Sequence, residues 1–159
     1  MDNPKTSRRE FCAHAISLVT VASLVEGCGG NGNGSPTAPG SGGGGAPSLS
    51  VINGSVSGNT VTVPIAAGSA LAASGSAAFV ESGAAQFLVA RIAENSFNAM
   101  TAVCTHEQCA VNGFSSGRFV CPCHGSQYST SGQVQQGPAT RNLRTFPTQF
   151  TNSVLTITV

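Results

Sequence analysis

From about residue 48 to the C-terminus the pattern is strand-like almost throughout, with short apolar stretches of strand length set off by turn residues, some of them alternating with the period of two of a strand with one buried face. The clearest case is 60–65, TVTVPI, which puts Val61, Val63 and Ile65 on one side. A second strand is predicted over 77–81, AAFVE, and a third over 86–92, QFLVARI, with Gly83 between them. Asn95 marks a turn before a fourth strand over 97–103, which runs directly into Cys104. Residues 118–120 form a short strand that runs into Cys121. Residues 143–146 and 154–159 are predicted to pair across the turn Thr151-Asn152-Ser153. The helical pattern is weak everywhere, and its only candidate in this part of the chain is 68–74. The expected fold class is therefore all-β, a small antiparallel domain, with Phe79, Phe87, Phe97, Phe119, Phe146 and Phe150 in the core.

The first 47 residues read differently. Ser7-Arg8-Arg9-Glu10-Phe11, preceded by Lys5, resembles a twin-arginine export signal. The apolar run that follows, 11–25, is about fifteen residues, shorter than the roughly twenty that span a bilayer. It reads as the apolar core of a signal; the alternative is a chance arginine pair before an amphipathic helix. The leader lacks a terminal Ala-x-Ala. Leu24-Val25-Glu26-Gly27-Cys28 instead resembles a lipobox, which makes Cys28 a lipidation candidate. An uncleaved apolar anchor is the other reading. His14 is a tolerated signal residue. Residues 29–47 are almost entirely Gly, Ser, Pro, Asn, Thr and Ala, so they cannot bury a core and form a flexible linker. About twenty such residues reach roughly 25 Å. The expected organisation is a leader or anchor over 1–28, a linker over 29–47 and a folded domain over 48–159.

Charge narrows the choice little. The chain has 159 residues and a net charge of +1, which gives no electrostatic footprint for nucleic acid. From residue 48 onward the charged residues are Glu81, Arg91, Glu94, Glu107, Arg118, Arg141 and Arg144. So bare a surface, rich in Ser, Thr, Gln and Asn, suits a secreted β protein.

Cysteine and histidine change the picture. Four of six cysteines and two of three histidines fall within 104–128. They form Cys104-Thr105-His106-Glu107-Gln108-Cys109 and, after eleven residues, Cys121-Pro122-Cys123-His124-Gly125-Ser126-Gln127-Tyr128. Each half offers a thiol and an imidazole within three positions, plus a second cysteine. Two Cys and two His can hold one iron–sulfur pair, thiolates on one iron and imidazoles on the other. The two leftover cysteines, one per loop, can bond to each other. A zinc-stabilised binding module is the competing class. Zinc knuckles favour Cys-x-x-Cys spacing, which neither half has.

The pair of motifs resembles the Rieske [2Fe-2S] signature, and more narrowly its high-potential form in cytochrome bc complexes. The resemblance implies one [2Fe-2S] cluster per chain, with Cys104, His106, Cys121 and His124 as iron ligands and Cys109–Cys123 as a disulfide. It implies that Ser126 and Tyr128 donate hydrogen bonds to the bridging sulfide and to the sulfur of Cys104. It also implies that Gly137 and Pro138 belong to a loop covering the cluster. Thr140 stands where the family often has a second proline. A disulfide requires an oxidising compartment. A cluster assembled in the cytoplasm has to cross the membrane in a folded protein, the cargo of the twin-arginine route. The expected function is an exported electron-transfer protein, anchored on the periplasmic side of the cytoplasmic membrane, with cytochrome c or a cytochrome b complex as redox partner. The alternatives are the quinol-oxidising subunit of a cytochrome bc complex and the Rieske small subunit of a periplasmic molybdenum oxidoreductase. Glu107 departs from the bc pattern, which has an apolar residue after the first ligand histidine, and this counts against quinol docking.

Overall fold

The computed structural model describes residues 45–83 and 85–159. The twin-arginine motif, Cys28 and most of the linker lie outside the described residues. Thirteen strands follow in order: β1 Val51–Asn53, β2 Ser55–Ser57, β3 Thr60–Pro64, β4 Ala77–Ser82, β5 Ala85–Ala93, β6 Ser96–Thr101, β7 Gly113–Ser115, β8 Arg118–Val120, β9 Gln127–Ser129, β10 Val134–Gln136, β11 Thr145–Phe146, β12 Thr148–Thr151 and β13 Val154–Thr158. The described residues contain no helix, and 68–74 is a series of turns.

The strands form three sheets, ordered β1-β4-β5-β6-β11, β10-β9-β8-β7 and β12-β13-β3-β2. Every pair is antiparallel except β1 with β4. The five-stranded sheet is covered on both faces. On β5, Phe87 and Val89 point into one core with Val61, Val63, Leu155 and Ile157. Leu88 and Ala90 point the other way, into a second core with Phe119 and Tyr128. That double burial explains why 87–90 is an unbroken apolar run rather than an alternation. Strand β3 is covered on one face and alternates, with Val61 and Val63 buried and Thr60 and Thr62 half-buried. Phe79, Phe87, Phe97 and Phe119 are buried as expected, while Phe146 and Phe150 are partly buried at the edge of the first core.

One expected pairing is corrected. Residues 154–158 pair with β12 across Asn152-Ser153, not with 143–146. Thr145 and Phe146 pair instead with Met100 and Ala99 of β6. Pro147, which has no N–H to give a ladder, separates β11 from β12 and lets the chain pass from one sheet to the next.

Two sheets meet at the second core, and the cysteine and histidine loops leave from that meeting. The chain departs β6 and closes its first loop with a bridge between Val103 and Ala110. The second loop joins β8 to β9 directly.

Candidate metal centre

The two loops are built alike. In the first, the Cys104 N–H donates to Cys109 O at 2.8 Å and the Gln108 N–H to Cys104 O at 3.0 Å. In the second, the Cys121 N–H donates to Ser126 O at 2.8 Å and the Gly125 N–H to Cys121 O at 3.0 Å. The fourth residue after each leading cysteine, Gln108 or Gly125, has positive φ, 58° and 75°. Glycine adopts that conformation freely, whereas glutamine is strained there. The repeated sequence theme is thus a repeated backbone as well.

Each loop turns its leading thiol inward. Cys104 and Cys121 are free and buried, and belong to the second core. Cys109 and Cys123 are joined by a disulfide with a Cα–Cα distance of 6.6 Å, which ties the loops together. The histidines meet at the surface, with ring centroids 4.9 Å apart and planes at 87°. Glu107 lies between them: its carboxylate oxygens are 3.9 Å from His106 Nε2 and 3.8 Å from His124 Nδ1. The side chains of His106, His124 and Glu107 are 29%, 47% and 61% exposed. This site therefore has a dry end of sulfur and a wet end of imidazole.

Tyr128 is wholly buried behind Cys104. Its hydroxyl lies 3.3 Å from Cys104 Sγ and 3.1 Å from Thr105 Oγ1, and accepts the Thr105 N–H at 3.2 Å. Burial pushes the Cys104 thiol up, but the hydrogen bond from Tyr128 and those from the His106 and Glu107 backbone outweigh it, so it titrates below the ordinary value. Burial raises Cys121, and the neighbouring Cys104 adds to the rise. Tyr128 itself is raised, first by burial and then by Cys104.

Ser126 is also wholly buried, and its Oγ accepts the Ala139 N–H at 3.0 Å. Its own proton has no acceptor among the described residues. The segment that supplies Ala139 begins with a cis Gly137–Pro138 bond, and further along it the Arg141 carbonyl accepts Thr105 Oγ1–H at 2.6 Å. Residues 137–141 are thus fastened to both loops. Sequence reasoning did not identify Thr105 or Ala139. Neither residue type carries a signal, and each acts through a partner far along the chain.

The donor set fits an iron–sulfur pair: two buried free thiols, two adjoining imidazoles, and a buried hydroxyl with a proton to give.

Comparison with known proteins agrees. The family model for the Rieske [2Fe-2S] domain matches residues 61–147. The ubiquinol-cytochrome c reductase iron-sulfur subunit of Bradyrhizobium diazoefficiens is 53% identical over 51 residues, 30% of this chain and 28% of that one. The cytochrome b6-f complex iron-sulfur subunit of Trichodesmium erythraeum is 54% identical over 46 residues, 28% of this chain and 25% of that one. The chain thus covers little more than a quarter of these relatives' length. Among solved structures, the plasma membrane Rieske protein PetC3 from Synechocystis is 30% identical, with 52% of this chain and 86% of that chain covered at a TM-score of 0.48. A chain from the complex of reduced oxygenase and oxidized ferredoxin in carbazole 1,9a-dioxygenase is 23% identical, with 60% and 98% covered at a TM-score of 0.50.

Proposed function

The chain belongs to the Rieske [2Fe-2S] family, and from that premise we propose that it is an exported one-electron carrier whose cluster is held by Cys104, His106, Cys121 and His124. The observation that carries the reading is the pair of like-built loops, each giving one buried free thiol and one exposed imidazole, joined by Cys109–Cys123. When bound, the cluster supplies a centre that takes up one electron at a potential between about −150 and +300 mV. The rest of the task falls to the chain's own side chains. Cys104 and Cys121 offer thiolates in a dry pocket. Tyr128 and Ser126 direct hydroxyls inward and set the potential. Residues 137–139, with Pro138 lacking an N–H, shut water from the sulfur side. His106 and His124 present their rings to a partner and can hand over a proton beside the electron.

The partner reading is a c-type cytochrome. A carboxylate between the two imidazoles is expensive to press into an apolar crevice, and Glu107 occupies that position. The match to a ubiquinol-cytochrome c reductase subunit favours a second reading, quinol oxidation. The electron paramagnetic resonance line shape of the reduced cluster in native membranes decides between them. A line shape that is constant as the quinone pool is oxidised and reduced supports the cytochrome reading, and a clear shift supports quinol.

Anchoring and export complete the proposal. Arg8-Arg9 and the apolar run direct twin-arginine export, Cys28 carries a lipid, and 29–47 tether the domain 48–159 on the periplasmic side. The Cys109–Cys123 bond supports this, because disulfides persist in oxidising compartments. The basic test is chemical analysis: two irons and two acid-labile sulfides per chain are expected, and one zinc without sulfide would overturn the cluster.

A further inference from the structure

A cavity of about 380 Å³ opens on the flank of the centre, beside His106 rather than at the tip. Its walls include Thr101, Val103, Cys104, His106, Arg141 and Arg144, and no carboxylate. The domain has four cations, all arginines, and two of them are engaged. Arg91 is spent on the carbonyls of Leu71, Ala72 and Glu94, and Arg118 reaches Gln127. Arg141 and Arg144 are both exposed, and neither guanidinium has a salt bridge or a hydrogen bond among the described residues. Arg144 is steadied only by stacking on Phe146, 4.7 Å from the ring centroid. Glu107, the nearest carboxylate in sequence, faces the two imidazoles and does not line the cavity. The two uncommitted arginines of a nearly uncharged surface therefore share one concavity against Cys104 and His106.

We propose that this cavity is an oxyanion site for a small molecule bearing a carboxylate or phosphate group, held by Arg141 and Arg144 against the flank of the metal centre. Guanidinium forks match both groups bidentately, and the volume lies within the range of small-ligand pockets. The proposal rests on the cluster reading only in placing the occupant next to a redox centre. There, a bound anion opposes the arrival of an electron. By linkage, the oxidised protein binds the anion more tightly than the reduced one, and the anion lowers the potential.

The test is calorimetric titration of the full-length, cluster-loaded protein with inorganic phosphate at constant ionic strength, so that general screening stays fixed. One saturable site per chain is expected. Arg141→Gln and Arg144→Gln should each weaken it roughly tenfold or more, the scale of a lost charge-assisted hydrogen bond, and Arg141→Lys should recover part of the loss. Arg144→Gln also removes the stack on Phe146, so Arg141→Gln, whose side chain holds nothing in place, keeps the test clean. Voltammetry should show a lower potential with phosphate in the wild type and no change in Arg141→Gln. Absence of a saturable site, or wild-type affinity in both Gln variants, would overturn the proposal. Tighter binding of an acetylated tetraglutamate peptide than of phosphate would overturn the small-molecule assignment. A colourless protein that still binds phosphate would instead defeat the cluster reading and leave the anion site standing.

Discussion

Tyr128 has one proton and two acceptors within reach, Cys104 Sγ at 3.3 Å and Thr105 Oγ1 at 3.1 Å. Thr105 commits its own proton to the Arg141 carbonyl, so its oxygen can only compete for the tyrosine's. The hydroxyl is held where it is by the Thr105 amide, and its donation to sulfur depends on that position. Ser126 is simpler, because its oxygen accepts from the Ala139 amide and its proton has no competing acceptor among the described residues. A hydrogen bond that strengthens as a sulfur gains charge favours the reduced state. Tyr128→Phe and Ser126→Ala should each lower the potential by tens of millivolts, since such a bond contributes about 0.5–1.5 kcal/mol and a tenfold change is about 59 mV for one electron. Protein-film voltammetry measures this directly; an unchanged or raised potential in both variants removes the hydroxyls from the account. The tyrosine's place beside Cys104 is legible in the motif. Thr105's part is not, because its carbonyl partner lies 36 residues away.

The two cluster loops are one structural element used twice, and their equivalent fourth positions differ in strain. Gly125, at φ 75°, has open space around its missing Cβ. Gly125→Ala therefore meets no clash but pays the left-handed penalty of about 1–2 kcal/mol, partly offset by about 0.4–1 kcal/mol from a less free unfolded chain. Gln108 at φ 58° already carries that penalty. Gln108→Gly relieves it, offset by about 0.4–1 kcal/mol of added unfolded-chain freedom, so the net change should be between zero and about 1.6 kcal/mol stabilising. Thermal loss of the visible absorption reads both. A Gln108→Gly variant as destabilised as Gly125→Ala would show that the loops are not equivalent. Only Gly125 announces its conformation in sequence; glutamine gives no such sign. The same contrast holds for strands. The strand-like stretches became β3, β4, β5 and β6, but pattern alone gave 143–146 the wrong partner, the C-terminal strand, where Thr145 and Phe146 pair with β6 instead.

At the scale of the molecule, the metal centre sits where two sheets share a core, and the disulfide spans its two loops across a separation of 14 residues. Loops held to each other cannot drift apart in the native state, and the bond also restricts the unfolded chain. The double variant Cys109→Ser/Cys123→Ser should lose about 2–4 kcal/mol, seen as an earlier loss of cluster absorption on heating; unchanged stability would mean the cluster alone holds the loops. Export belongs to this scale too. Replacing Arg8 and Arg9 with Lys should leave the protein in the cytoplasm with its cluster loaded, by fractionation and spectroscopy, and normal export of that variant would defeat the twin-arginine reading.

The cysteines and histidines of the two loops could be picked out from sequence because each loop holds its donors within a few residues, and local spacing is what a chain states directly; that Cys104 and Cys121 stay free while Cys109 and Cys123 pair is shown by the structure, as the family resemblance implied. The strands were legible for the same reason, since alternation is a property of neighbours. What only the tertiary structure decided are relations between distant residues. These include Glu107 reaching His124 as well as His106, Thr105 bonded to the Arg141 carbonyl, and Arg141 and Arg144 lining one cavity. The second face of β5 and the passage of 145–148 between sheets belong with them. Each depends on how three sheets close over two cores, and that closure is set by burial summed over the whole domain, which no single stretch of sequence carries.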